Sequence, residues 1–227
     1  MADIVSKTCS DYLRECYSGL KASHARELIA AFFGYKSHAA LLADKRNSVD
    51  FLDVAAVLVP DSSLVDDRRR CLNDLCEQLP PSGRLVDDLV QFIEGDGLFT
   101  GEVWDCFDIG EYVMEEYLQA HLSPELDLEL EDLTKPLNAF FEEISYDDCQ
   151  VKETDYGVTV TVSGTYSGYW LDDNDDRDDP VIDLEISVYL PRCAGRISFE
   201  EPQIDVIGTL QEAPEEEESE QPAAAFS

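Results

Sequence analysis

The hydrophobic period changes once along this chain, and that change limits what it can fold into. Up to about residue 145 the apolar residues recur at helical spacing. From Tyr146 they alternate: Val158, Val160 and Val162 with Thr159, Thr161 and Ser163, then Ile182, Leu184, Ile186, Val188 and Leu190 with Asp183, Glu185, Ser187 and Tyr189. Three-to-four spacing marks amphipathic helices, and strict alternation marks strands half buried in a sheet. Helices followed by strands make an α+β protein. The expected architecture is about seven helices, then a four-stranded antiparallel β-meander. It divides into a small three-helix module (1–46), a helical region (47–145), a β region (146–210) and a disordered acidic tail (211–227).

The expected helices cover 3–17; a segment capped by Ser23 and ended by Gly34; one capped by Ser37; the run Val49–Val59, which reads as helix or buried strand, with Asp50 and Asp53 favouring helix; Leu64 to Leu79, stopped by Pro80-Pro81; Ser82 to Ile93; Thr100 to Leu122, ahead of Pro124; and Leu133 to Ile144. The strands are expected at Cys149–Glu153, around Val158–Val162, at Ile182–Leu190 and at Ile197–Val206. Gly164 and Gly168 suggest a bulge or bend in the second. One sheet face should pack on the helices while the other shows acids to water.

Charge is the second constraint. Fifty Asp+Glu against 16 Lys+Arg give a formal net charge of −34 and a pI near 4.1. Residues 1–46 hold Lys7, Arg14, Lys21, Arg26, Lys36, Lys45 and Arg46 against Asp3, Asp11, Glu15, Glu27 and Asp44, a balance of +2, which leaves −36 for the rest. Ten Phe, ten Tyr and two Trp supply material for a core and argue against global disorder. With neither a run of about 18 apolar residues nor a signal segment, a cytoplasmic protein without membrane contact is expected. Seven cysteines spread without a CxxC pair read as reduced, core-type thiols.

Motifs that carry catalysis are missing: there is no GxSxG elbow, phosphate loop, dinucleotide fingerprint or HExxH. Of the three histidines His24, His38 and His121, the two in the small module read as capping or packing residues at helix starts, and acid pairs such as Asp66-Asp67 as solvated faces. The expectation is therefore not an enzyme. The sharpest local signal is the acidic run Asp172, Asp173, Asn174, Asp175, Asp176, Arg177, Asp178, Asp179. Asp172, Asn174, Asp176 and Asp183 occupy positions 1, 3, 5 and 12 of a calcium loop, making them candidate ligands for Ca2+ or Mg2+. Arg177 stands where the loop calls for Gly, and strands flank it, so no cofactor is assigned.

Residues 23–41, Ser-His-Ala-Arg-Glu-Leu-Ile-Ala-Ala-Phe-Phe-Gly-Tyr-Lys-Ser-His-Ala-Ala-Leu, resemble a small helical module of bacterial proteins labelled glyoxalase-superfamily and of mobile-element proteins. The resemblance implies a mobile-element setting. It brings no catalytic residues, and no His/Glu metal constellation follows it.

At about one charge per 1.7 Å of duplex axis, a charge of −34 corresponds to about 58 Å of DNA, while a chain of this length folds to a diameter of about 45 Å. The expected function is accordingly an acidic protein-binding factor, a DNA mimic inhibiting a basic, nucleic-acid-binding protein in the manner of anti-restriction or anti-CRISPR factors. Asp172, Asp173, Asp175, Asp176, Asp178, Asp179, Asp183 and Glu185 are its candidate contact residues, and direct nucleic-acid binding is not expected. Two other readings stay open: a mobile-element accessory protein whose acidity serves solubility alone, and a divalent-cation-binding protein or hydrolase using residues 172–183.

Overall fold

A computed structural model describes residues 4–106, 108–171 and 178–211. Helices α1 (Ile4–Cys16), α2 (Ala22–Phe32) and α3 (His38–Ala43) come first, and Ser37 caps α3 by accepting from Ala40 N at 3.2 Å. After a 3-10 turn (Val49–Val54) come β1 (Val57–Leu58), α4 (Ser62–Cys71), α5 (Ser82–Gly95) and β2 (Glu102–Val103). Next lies a helical run made of α6 (Ile109–Tyr112), a π-type turn (Val113–Tyr117) and α7 (Leu118–Glu129), then α8 (Glu131–Thr134). The chain continues with β3 (Ala139–Glu153), β4 (Gly157–Trp170), β5 (Val181–Pro191), β6 (Ser198–Phe199) and β7 (Gln203–Leu210).

The four long strands form an antiparallel sheet in the order β3-β4-β5-β7. Val158, Val160, Val162 and the five alternating apolar residues of β5 are buried on its inner face, with Asp183 and Glu185 exposed on the other. Leu118, Leu122, Leu126 and Leu130 lay a four-residue stripe against that inner face. Trp104, wholly buried, joins this core with its ring 4.8 Å from Tyr112 and 5.1 Å from Tyr117. A second core, centred on Leu13, Leu28, Phe32, Phe33, Leu85 and Leu89, ties α1, α2 and α5 together. A small sheet, β2-β1-β6, stands between the two, β1 running parallel to β2 and antiparallel to β6.

The mixed helix-and-strand class and the antiparallel sheet agree with the sequence reading; several elements do not. Among the described residues there are eight α-helices rather than seven. No helix spans Leu133–Ile144: α8 ends at Thr134 and β3 starts at Ala139, where Phe140 pairs with Tyr169 and Phe141 rests on Tyr166. Long-range pairing of aromatics overrides local helical spacing there. The run Val49–Val59 splits into the 3-10 turn and β1. Helix α4 stops at Cys71 because Asn73-Asp74 turns the chain, Asp74 taking φ +52°. Thr100 starts no helix; Asp108 does, accepting from Gly110 N at 2.8 Å, and the run passes Pro124 to reach Glu129. Burial of the leucine stripe outweighs the roughly 3 kcal/mol a helix-interior proline costs. Ser23 lies inside α2 and does not cap it. The last strand is divided at Glu200–Pro202 into β6 and β7.

Gly164 and Gly168 do mark irregularity, but the shifts in register lie on β3, between Phe141 and Glu143 and between Tyr146 and Asp148. A Cβ on Gly164 would sit 2.2 Å from the Ser145 carbonyl oxygen, and one on Gly168 2.3 Å from that of Phe140. The glycines admit the bulged backbone opposite. Among the described residues no helix is long and apolar enough to cross a membrane.

Candidate interaction surface

Register fixes which side chains share the outer face of the large sheet. Asp183 stands across from Thr165 on β4 and Thr209 on β7, and Glu185 across from Ser163 and Ile207. Ser163 in turn faces Asp148, Ser167 faces Glu143, and Ser187 faces Asp205. The result is a floor of hydroxyls carrying Glu143, Asp148, Asp183, Glu185 and Asp205, with Lys152 the cation at one end. Residues two apart on a strand lie about 7 Å apart and neighbouring strands about 4.8 Å apart, so these carboxylates are held on a fixed grid. Asp183 accepts from Gln211 Nε2 at 2.7 Å; the other four make no ion pair among the described residues.

Cations are distributed unevenly. Of the 16 Lys+Arg and 50 Asp+Glu, eleven and twelve fall within residues 1–84, which leaves five against 38 from Leu85 onward. In the first part the charges largely neutralise one another: Arg68 bonds Glu27, Arg70 bonds Asp67 at 2.7 Å, and Lys21 lies 3.8 Å from Asp74. Arg69 donates instead to the Pro80 carbonyl and to Ser82 Oγ. The division between a balanced and an anionic part therefore falls near residue 84 in the folded chain.

Between α5 and the small sheet opens a cleft of about 1070 Å³. Its α5 wall carries Gly83, Val86, Asp87, Val90, Gln91 and Glu94, one helical face beside the buried stripe Leu85, Leu89, Ile93. Asp61, Asp105 and Ile109 stand across it, and Arg192 and Arg196 close one end. Cys106 also lines it, its thiol pushed up to about 11 by burial and by the nearby Asp105, Asp108 and Glu116, so it stays protonated at neutral pH.

Comparison with protein-family models, with curated proteins and with solved structures gives no match. The chain's own chemistry is what bears on its role. Of the residues singled out by sequence, Asp172, Asp173, Asn174, Asp175 and Asp176 lie outside the described residues, as does the tail from 212. Asp178, Asp179, Asp183 and Glu185 are exposed. Among the described residues no group of three or more His, Cys, Asp or Glu is placed to hold a metal ion. The histidines do not come together: His121 stacks on Tyr117 at 4.5 Å, His24 lies in the first turn of α2, and His38 opens α3. Burial and the nearby Arg26 lower the pKa of His38.

Sequence reasoning missed the cleft and the pair formed by Arg192 and Glu153 within it. The usable signal was Val86/Asp87, Val90/Gln91, Glu94, a second face of α5 at four-residue spacing beside its core stripe.

Proposed function

We propose that this chain is an acidic protein-binding factor that occupies a cationic, nucleic-acid-binding surface of another protein in place of a phosphate backbone. The observation that supports it best is the segregation of charge: five basic against 38 acidic residues from Leu85 onward, with Glu143, Asp148, Asp183, Glu185 and Asp205 exposed on one sheet face. Such a field draws a basic cleft toward it over about a Debye length and repels nucleic acid. The likeness of residues 23–41 to a mobile-element module makes a counter-defence inhibitor, of the anti-restriction or anti-CRISPR kind, the concrete version of this reading.

The test is retention of purified nucleases and other DNA-binding proteins on the immobilised chain. Binding should fall steeply between about 0.05 and 0.2 M salt, as phosphate-type contacts do. Duplex DNA should displace the bound protein, and the triple change Asp183→Asn, Glu185→Gln, Asp205→Asn should weaken retention. Retention indifferent to salt and to competing duplex would end the proposal.

A further inference from the structure

We infer that the cleft beside α5 is a docking groove for a basic amphipathic helix of the partner protein, an inference that rests on the protein-binding reading and adds where apolar contact is made. The groove combines an apolar floor with an anionic rim. Val86, Val90, Ile109, Ile197 and Phe199 supply the floor, and Asp61, Asp87, Glu94 and Asp105 stand around it. None of these four acids makes an ion pair among the described residues; Asp61 accepts from Ser63 N at 2.7 Å. The two cations at the far end are already engaged, Arg192 with Glu153 at 2.7 Å and Arg196 with Asp155 at 3.4 Å. The uncompensated charge of the groove is therefore negative, and its complement is an apolar segment flanked by Lys or Arg.

Shape selects a helix. Val86, Val90 and Glu94 recur every four residues, the ridge that packs into the groove between ridges of a second helix. At the N-terminal end of that wall, a Cβ on Gly83 would meet nothing within 4 Å, which leaves room for close approach. The volume of about 1070 Å³ equals two to three turns of a helix about 10 Å across. Apolar side chains at i, i+3, i+4 and i+7 of the incoming helix would meet the floor while basic ones flanking them reach the rim, a helix-in-groove mode.

A fluorescent peptide of about 14 residues, near four turns, built from Leu and Lys at helical period, is the probe, with a scrambled peptide of the same composition as control. Anisotropy titrations of the full chain at about 0.15 M salt should give at least about tenfold tighter binding of the periodic peptide. Asp87→Asn with Glu94→Gln, both on the exposed side of α5, should weaken it about tenfold, and Val90→Thr about fivefold. Asp183→Asn with Glu185→Gln should leave it within about twofold. Equal affinity for both peptides, or unchanged binding by the α5 variants with melting temperatures intact, overturns the groove. If both peptides then still bind in a salt-sensitive manner that the sheet variants weaken, the electrostatic reading survives without it. If neither binds even at low salt, both fall.

Discussion

Arg192 is 1% exposed and Glu153 is 62% exposed, yet their side chains meet at 2.7 Å, so this ion pair has one dry end and one wet end. The guanidinium also donates to the carbonyls of Thr154 and Arg196, pinning the β3–β4 turn to the segment that leads into β6. Removing the buried partner strands two carbonyls and opens a hole, whereas removing the solvated one leaves the arginine both carbonyl acceptors. Arg192→Leu should therefore cost about 2–4 kcal/mol and Glu153→Gln less than about 1 kcal/mol. Urea denaturation of the two variants checks the asymmetry; equal losses would contradict it.

Gly34 ends α2 with φ +84°, and a Cβ there would lie 2.7 Å from Cβ of Arg196. Backbone conformation and crowding both oppose a side chain, because Arg196 is tied in place by its N–H donating to Phe33 O at 2.9 Å. Gly34→Ala should lose about 2–5 kcal/mol, from about 1–2 for the left-handed backbone and about 1–3 for overpacking. Ser37→Ala, which removes only the α3 cap, should lose about 1 kcal/mol. Thermal melts of the two variants should preserve that order.

Asp44 gathers the loop that follows α3. Burial alone would raise its carboxyl pKa, but hydrogen bonds from the Asn47 backbone and side chain, the Tyr35 hydroxyl and the Arg46 N–H outweigh it and hold the carboxyl below its usual value. A group whose folded pKa is depressed stabilises the fold above its unfolded pKa and loses that contribution as the pH falls through the folded value. The stability gap between the native chain and Asp44→Asn should thus be constant above about pH 5 and shrink below about pH 4. Urea melts across that range measure it; a gap that widens on acidification would refute the assignment.

Legibility in the sequence followed the range of the interactions. The Gly34 turn, the Ser37 cap and the alternation of β4 and β5 are set by neighbours within a few residues, and they stand where the pattern put them. The start of β3 is set by Tyr166 and Tyr169, some 25 to 29 residues away across the sheet, so the helical spacing from Leu133 misled. Pro124 misled in the opposite sense, since a leucine stripe held together by the sheet carries the helix through it. Asp183 and Glu185 were legible as exposed acids of β5. Their companions Glu143 and Asp148 were not, because the β3 bulges decide which side each residue faces, and Asp205 joins them only through the pairing of β7 with β5.

The uneven charge also makes a prediction about the isolated chain. Carboxylates from Leu85 onward outnumber cations 38 to five, and Glu143, Asp148, Asp183, Glu185 and Asp205 share one sheet face, so folding gathers like charges that the unfolded chain keeps apart. Salt screens such repulsion within about 10 Å at 0.1 M and about 3 Å at 1 M. Raising NaCl from about 0.01 to 0.5 M should therefore raise the melting temperature by several degrees, with most of the gain below about 0.2 M, where the screening length falls fastest. Neutralising Asp183 and Glu185 together should reproduce part of that gain at low salt and little of it at high salt. A melting temperature that drops with added NaCl would mean that favourable ion pairs, such as Arg70 with Asp67, outweigh the repulsion.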